Sequence, residues 1–259
     1  MSSKQGKTRG NQLLIAGLIG LVVFAVAHYV FAATPSGPSI SYVKNETSSS
    51  YGVATPDTYG DSKGGYIITM LLTTRQQNEH YKAYVGNVSG NYVLEDASNF
   101  SIYEWSISTI SGEVFATRTS GSITWANVEC ANKSHVADEM AEMHHNTTNT
   151  PDDDINDTFD DDANDHWGFW VGPTQIGANS CNFSINPYVN DTDQGVASDL
   201  FEEVLLYDGS SNLLYATKIE NDVSGYRNDS TTYDFQMIVA ENGSPVSSQT
   251  DYYFYVELS

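Results

Sequence analysis

The sequence predicts an all-β body, an antiparallel β-sandwich of immunoglobulin-like or jelly-roll-like type, preceded by one N-terminal hydrophobic helix. Three observations carry that expectation. The apolar residues are largely Tyr, Val, Ile, Leu and Phe among abundant Ser, Thr, Asn and Gly, a mixture that suits strands and turns. Short apolar runs follow one another at close spacing with turn residues between them. No helical pattern alternates with these runs, so a parallel α/β arrangement is not expected. With 259 residues the body has enough chain to bury a core without a staple.

The elements follow in order. Residues 1–10 form a basic leader holding Lys4, Lys7 and Arg9, the only charges before Lys44. Residues 11–33 contain the apolar segment, and Leu13–Ala33 is 21 residues without a charge. A helix of that length spans roughly 30 Å, the hydrocarbon core of a bilayer. Because the positive charges precede the segment, the amino terminus is expected in the cytoplasm and the body outside, extracellular or at the cell surface. The formal net charge of −22 becomes about −25 without the leader's three positive charges, which disfavours nucleic acid and anionic lipid as partners.

Residues 34–63 are rich in Ser, Thr, Gly and Pro and read as a linker, with Ile40–Val43 as one short strand within it. The body spans residues 64–259. Its expected strands are GYIITMLLTT, HYKAYV, GNYVLED, FSIYEWSI, GEVFATR and SITWANV, then HWGFWV, LFEEVLLYD, NLLYATKI, TYDFQMIVA and DYYFYVEL. An acidic insertion, residues 134–166, separates the two groups. The stretches beginning at Val93 and Leu205 align without gaps, and each reads as a hairpin with an Asp-led turn in its middle.

Three fates are open to the apolar segment. It is a secretory signal cut after Ala32, an uncleaved anchor, or a retained assembly surface. Arg9 and Gly10 stand immediately before it, and this arrangement resembles the class III signal of archaeal type IV pilins and archaellins. The resemblance covers about 25 residues, and Ile15 stands where many bacterial pilins carry a glutamate. It implies cleavage between Gly10 and Asn11. It further implies retention of Leu13–Ala33, which would lie in the membrane before assembly and then self-associate into a homopolymeric extracellular filament. Ala16, Gly17, Gly20, Ala25 and Ala27 would permit the close packing such an assembly needs. The chain would then be a structural surface glycoprotein. A membrane-anchored or secreted calcium-dependent adhesion module, able to polymerise by lending Ile40–Val43 to a neighbour's sheet edge, is the alternative.

Ten N-glycan acceptor sequons occur, at Asn45, Asn87, Asn99, Asn132, Asn146, Asn156, Asn182, Asn190, Asn228 and Asn242. Outside the cytoplasm Cys130 and Cys181 are expected to pair. Between them lie two acidic octads, 152–159 and 160–167. Asp152, Asp154, Asn156 and Asp160, Asp162, Asn164 present alternate oxygen donors, the spacing with which loops wrap calcium; the alternative is a solvated acidic loop. SHVADEMAEMHH reads as a short helix with Ser134 as N-cap and Val136, Met140 and Met143 on one face. Its His135, Met140, Met143, His144 and His145 are also a possible copper-binding set. No Gly-x-Ser-x-Gly elbow, zinc-protease His pair, Walker loop or dinucleotide fingerprint is present, so no enzyme is expected. A surface hydrolase with carboxylates on distant strands is the least favoured reading.

Overall fold

The computed structural model describes residues 34–46, 77–121, 123–145, 152–160, 166–194, 200–243 and 249–259. The architecture is all-β, built almost wholly from antiparallel pairs.

The main sheet is assembled from β4 (Gly112–Thr117), β5 (Glu129–Cys130), β8 (Ser184–Ile185), β9 (Glu203–Tyr207), β10 (Leu213–Lys218) and β14 (Tyr253–Leu258). Its order is β14-β4-β10-β9-β5. The two-residue strands β5 and β8 lie in succession along one edge of β9, against Tyr207 and Leu206 and against Val204 and Glu203 respectively.

Side chains alternate between the faces of this sheet, as the two-residue period of a strand requires. Val114, Ala116, Leu205, Leu213 and Tyr215 point into one core, while Phe115, Val204, Leu206, Leu214 and Ala216 point into the other. Both faces are therefore dry. This is the physical reason that the runs of β9 and β10 are continuously apolar instead of alternating with polar residues.

The first face is covered by the pair β1 (Tyr81–Gly86) and β13 (Phe235–Ala240), with α1 (Lys133–Glu142) and α2 (Ile155–Phe159) beside it. The second is covered by the hairpin β6 (Phe169–Val171) and β7 (Thr174–Ile176) and by a 3-10 turn at Trp125–Asn127. A short pair, β11 (Val223–Ser224) and β12 (Thr232–Tyr233), and the hairpin β2 (Asn91–Glu95) and β3 (Ser101–Ser106) complete the fold. Gly112 opens β4 at a φ of 132°, where a Cβ would lie 2.0 Å from the Glu257 carbonyl oxygen, so only glycine allows this pairing.

Several expectations change against this frame. SITWANV is not a strand: Trp125 sits in a 3-10 turn because its ring packs edge-on against Phe115 and Tyr255, with centroids 5.4 and 5.2 Å away. Ser134 is not the cap of α1. Asn132 is, with Oδ1 accepting the amides of Ser134 at 2.9 Å and His135 at 3.1 Å, while the His135 ring returns to the Asn132 amide. Val136, Met140 and Met143 are buried on the helix's inner face as expected. Ile40–Val43 forms no strand and is exposed. The apolar run 65–74 lies outside the described residues.

Candidate functional site

The described chain begins at Thr34, directly after the apolar segment, and it begins docked. Pro35 is buried. Ser36 exchanges both backbone hydrogen bonds with Val256 of β14, its amide donating at 3.0 Å and its carbonyl accepting at 2.8 Å. The first residues expected as linker are thus part of the body, whereas residues 37–46 are exposed. Further along, Arg227 pairs with Glu46, which holds the distal end of this stretch against the body.

Because the Ser36 bridge is antiparallel, the residues before it run toward the C-terminal end of β14. Thr34 accordingly lies beside Gly172, whose amide donates to Glu257 of β14 at 2.9 Å. At that same end Leu258 meets Gly90, where a Cβ would lie 2.6 Å from Leu258 Cδ1. Gly90 is the root of the β2–β3 ribbon.

Every residue of that ribbon's two strands is exposed. The register sets Tyr92 opposite Trp105 and Leu94 opposite Tyr103, which gathers these four side chains on one face. Tyr103 and Trp105 meet edge to face at 4.8 Å. The opposite face carries Val93 across from Glu104, and Asn91, whose amide hydrogen-bonds the Glu104 carboxylate. The ribbon is amphipathic. Its four apolar-face residues are 43–59% exposed, with Phe100 and Ile102 at 75% and 80%. Sequence reasoning found this hairpin but not its exposure, since its apolar content reads as core.

Cys130 and Cys181 form the expected disulfide, with Cα atoms 5.1 Å apart. It ties β5 to the segment entering β8, so the bridge spans the two pieces that cover the β9 edge. The expected calcium ligands are dispersed in role. Asp154 caps α2, its Oδ1 accepting the Asp157 amide at 2.8 Å, and Ile155 and Phe159 are wholly buried. Asp152 is exposed before the helix, Asn156 donates to Asp157 at 3.0 Å, and Asp160 bridges Ser184 beyond the helix. Asp162 and Asn164 lie outside the described residues. The first octad is a capped helical turn whose apolar positions anchor it. Among the described residues, no group of three or more His, Cys, Asp or Glu is placed to hold a metal ion.

The histidines and methionines of α1 likewise diverge. Met140 and Met143 are buried in the core, His135 stacks on Tyr207 at 3.5 Å, and His145 meets the Glu241 carbonyl oxygen at 2.9 Å. Of the sequon asparagines, Asn45, Asn87, Asn99, Asn132, Asn182, Asn190 and Asn228 are exposed, and Asn156 and Asn242 are partly so. Asn146 lies outside the described residues, as do Gly10, Asn11 and Leu13–Ala33. No helix among the described residues is long and apolar enough to cross a membrane.

Sequence reasoning also missed a set of buried carboxyls. Glu113 of β4 and Glu257 of β14 are direct cross-strand partners and nearly buried. Glu113 accepts from the Trp167 indole at 3.2 Å, and the buried Glu202 accepts the Trp167 amide at 2.7 Å. Burial pushes the Glu113 carboxyl up to about 7, with the neighbouring Glu257 adding to the shift against the Trp167 bond. Burial raises Glu257 and the fully buried Glu203 in the same direction. Glu113 and Glu257 form a carboxyl pair that is protonated more readily than free glutamate, but their bonds to Trp167 and Gly172 pin the β6–β7 layer to the sheet. The signal was in the sequence: acids interrupting the apolar runs GEVFATR, LFEEVLLYD and DYYFYVEL, one within each of the first and last and the pair Glu202–Glu203 in the second.

No family model, curated protein or solved structure matches this chain.

Proposed function

We propose that the chain is a structural cell-surface glycoprotein, a pilin-like subunit assembled through its N-terminal apolar segment, with a β-sandwich head. The Ser36–Val256 bridge is the observation that supports this reading most directly. The body grips the chain three residues after Ala33, so the apolar segment and the head are joined closely instead of through a free tether. A subunit whose heads must hold fixed positions around a core of packed segments needs such a joint.

Two further features accord with it. The acceptor asparagines among the described residues are exposed or partly exposed, as glycan attachment requires. The net charge, about −25 without the leader's three positive charges, keeps neighbouring heads soluble and apart. N-terminal sequencing of the native protein tests the proposal. Asn11 as the first residue is the expected result; Ala33 or an intact leader overturns it.

A further inference from the structure

We propose that the aromatic face of the β2–β3 ribbon is the seat of the chain's own apolar segment, Leu13–Ala33. This rests on the retention of that segment proposed above, and it names the surface of the head that receives it.

The ribbon needs an occupant. An isolated two-stranded hairpin is marginally stable in water at best, and here Tyr92, Leu94, Tyr103 and Trp105 share one apolar face and are each 43–59% exposed. With Phe100 and Ile102 at the turn side, the ribbon concentrates exposed apolar surface of the kind that marks an interaction site. Its length, five to six residues per strand, reaches about 20 Å.

The direction of the chain selects the occupant. The antiparallel bridge at Ser36 sends the preceding residues toward Leu258, and Leu258 rests on Gly90 at the root of β2. The apolar segment therefore enters the body on the side from which the ribbon projects. Charge agrees with this assignment. Leu13–Ala33 has no charged residue, and neither does the aromatic face. An anionic bilayer would instead meet Glu95, Asp96 and Glu104, with no Lys or Arg between Asn87 and Ile110 to offset them.

Site-specific photocrosslinking of the full 259-residue chain in neutral detergent tests the seat. With p-benzoylphenylalanine replacing the exposed Tyr103, the expected product migrates as a monomer, and its crosslinked peptide comes from residues 13–33. Its yield should exceed by at least tenfold that from the same probe at Tyr253, an exposed tyrosine at the far end of β14 from Leu258. Placing Leu94→Glu in the probe-bearing chain should reduce the yield several-fold while the far-ultraviolet circular dichroism is retained. A dimer-sized product, a detergent adduct alone, a peptide from residues 47–76, or no product overturns the seat. Because the recombinant chain contains the segment however the native protein is processed, the outcomes separate. Native termini at Asn11 with no crosslink remove the seat and leave the filament reading standing. A crosslink with native termini at Ala33 removes the filament reading and confines the seat to the uncleaved precursor.

Discussion

The hairpins β2–β3 and β9–β10 turn the same corner. Asp96 accepts the amides of Ser98 at 2.8 Å and Phe100 at 3.0 Å. Asp208 accepts those of Ser210 at 2.7 Å and Asn212 at 3.1 Å. The fourth residue of each turn is left-handed, Asn99 at φ 64° and Ser211 at φ 84°. Beyond the turn the two part company. β2–β3 is exposed throughout, whereas β9–β10 is buried on both faces at the centre of the main sheet. A turn is thus encoded locally, while the fate of its arms depends on whether both faces or one face is apolar. Leu213, Leu214, Tyr215 and Ala216 supply both faces; in β2–β3 the second face is interrupted by Asn91, Glu104 and Ser106 around Val93.

Truncation in the two arms gives the widest contrast. Leu206→Ala should cost up to about 5 kcal/mol through lost burial and a residual cavity, read as a fall in denaturation midpoint. Leu94→Ala, at the matching place in the ribbon, should cost about 1 kcal/mol at most, since it opens no cavity in the core of the body. Equal losses would end the distinction.

Reduction of Cys130–Cys181 comes next. Opening a link across a sequence separation of 51 should cost about 4 kcal/mol by the chain-entropy estimate. Hydrogen exchange should then quicken along β9 and β10 and stay unchanged in β2–β3.

The pH response should also belong to the main sheet. Folded Glu113 keeps its proton up to about pH 7, against an ordinary value of 4.5, so between those values the folded state binds a proton the unfolded chain has released. Glu113's contribution to stability is then fully present below about pH 4.5 and is lost as pH rises toward 7, by roughly 3 kcal/mol at about 1.4 kcal/mol per pH unit. Glu113→Gln should flatten that slope in denaturation midpoints measured across the range. A slope unchanged by the substitution would move the effect to Glu203 or Glu257.

The smallest contrast is in the turns themselves. Asp208 is wholly buried and also accepts from the Asn212 side chain and from the Thr124 amide at 3.3 Å, so Asp208→Ala should cost about 1–3 kcal/mol. Asp96→Ala should loosen only the ribbon, seen as faster exchange at Ser98 and Phe100 without a change in the global midpoint.

Much of this fold was legible because the signals are local. Apolar runs marked β1 to β4, β6, β9, β10, β13 and β14, and the Asp-led turns were readable in both hairpins. β5 and β8 were not legible, because a two-residue strand exists only by virtue of the β9 edge it meets. α2 was hidden by its acidity: Asp154 works as a cap and Ile155 and Phe159 as anchors, which the surrounding aspartates masked. Pro35 and Ser36 read as linker since their partner, Val256, lies at the other end of the chain. For the candidate site, the sequence offered the apolar segment and the aromatic hairpin separately. The Ser36 bridge adds that residues 34–36, which follow the segment, run along β14 toward Leu258 and Gly90 at the ribbon's root.

The β9 rim, covered by β5 and β8, has a meaning beyond the free energy of its staple. An uncovered rim is a template on which a second chain can add by backbone hydrogen bonding alone. Two fragments locked together by a covalent clasp deny that template to neighbours crowded around them. Loss of the clasp would therefore favour cross-β aggregation through a strand that ordinarily has no vacancy.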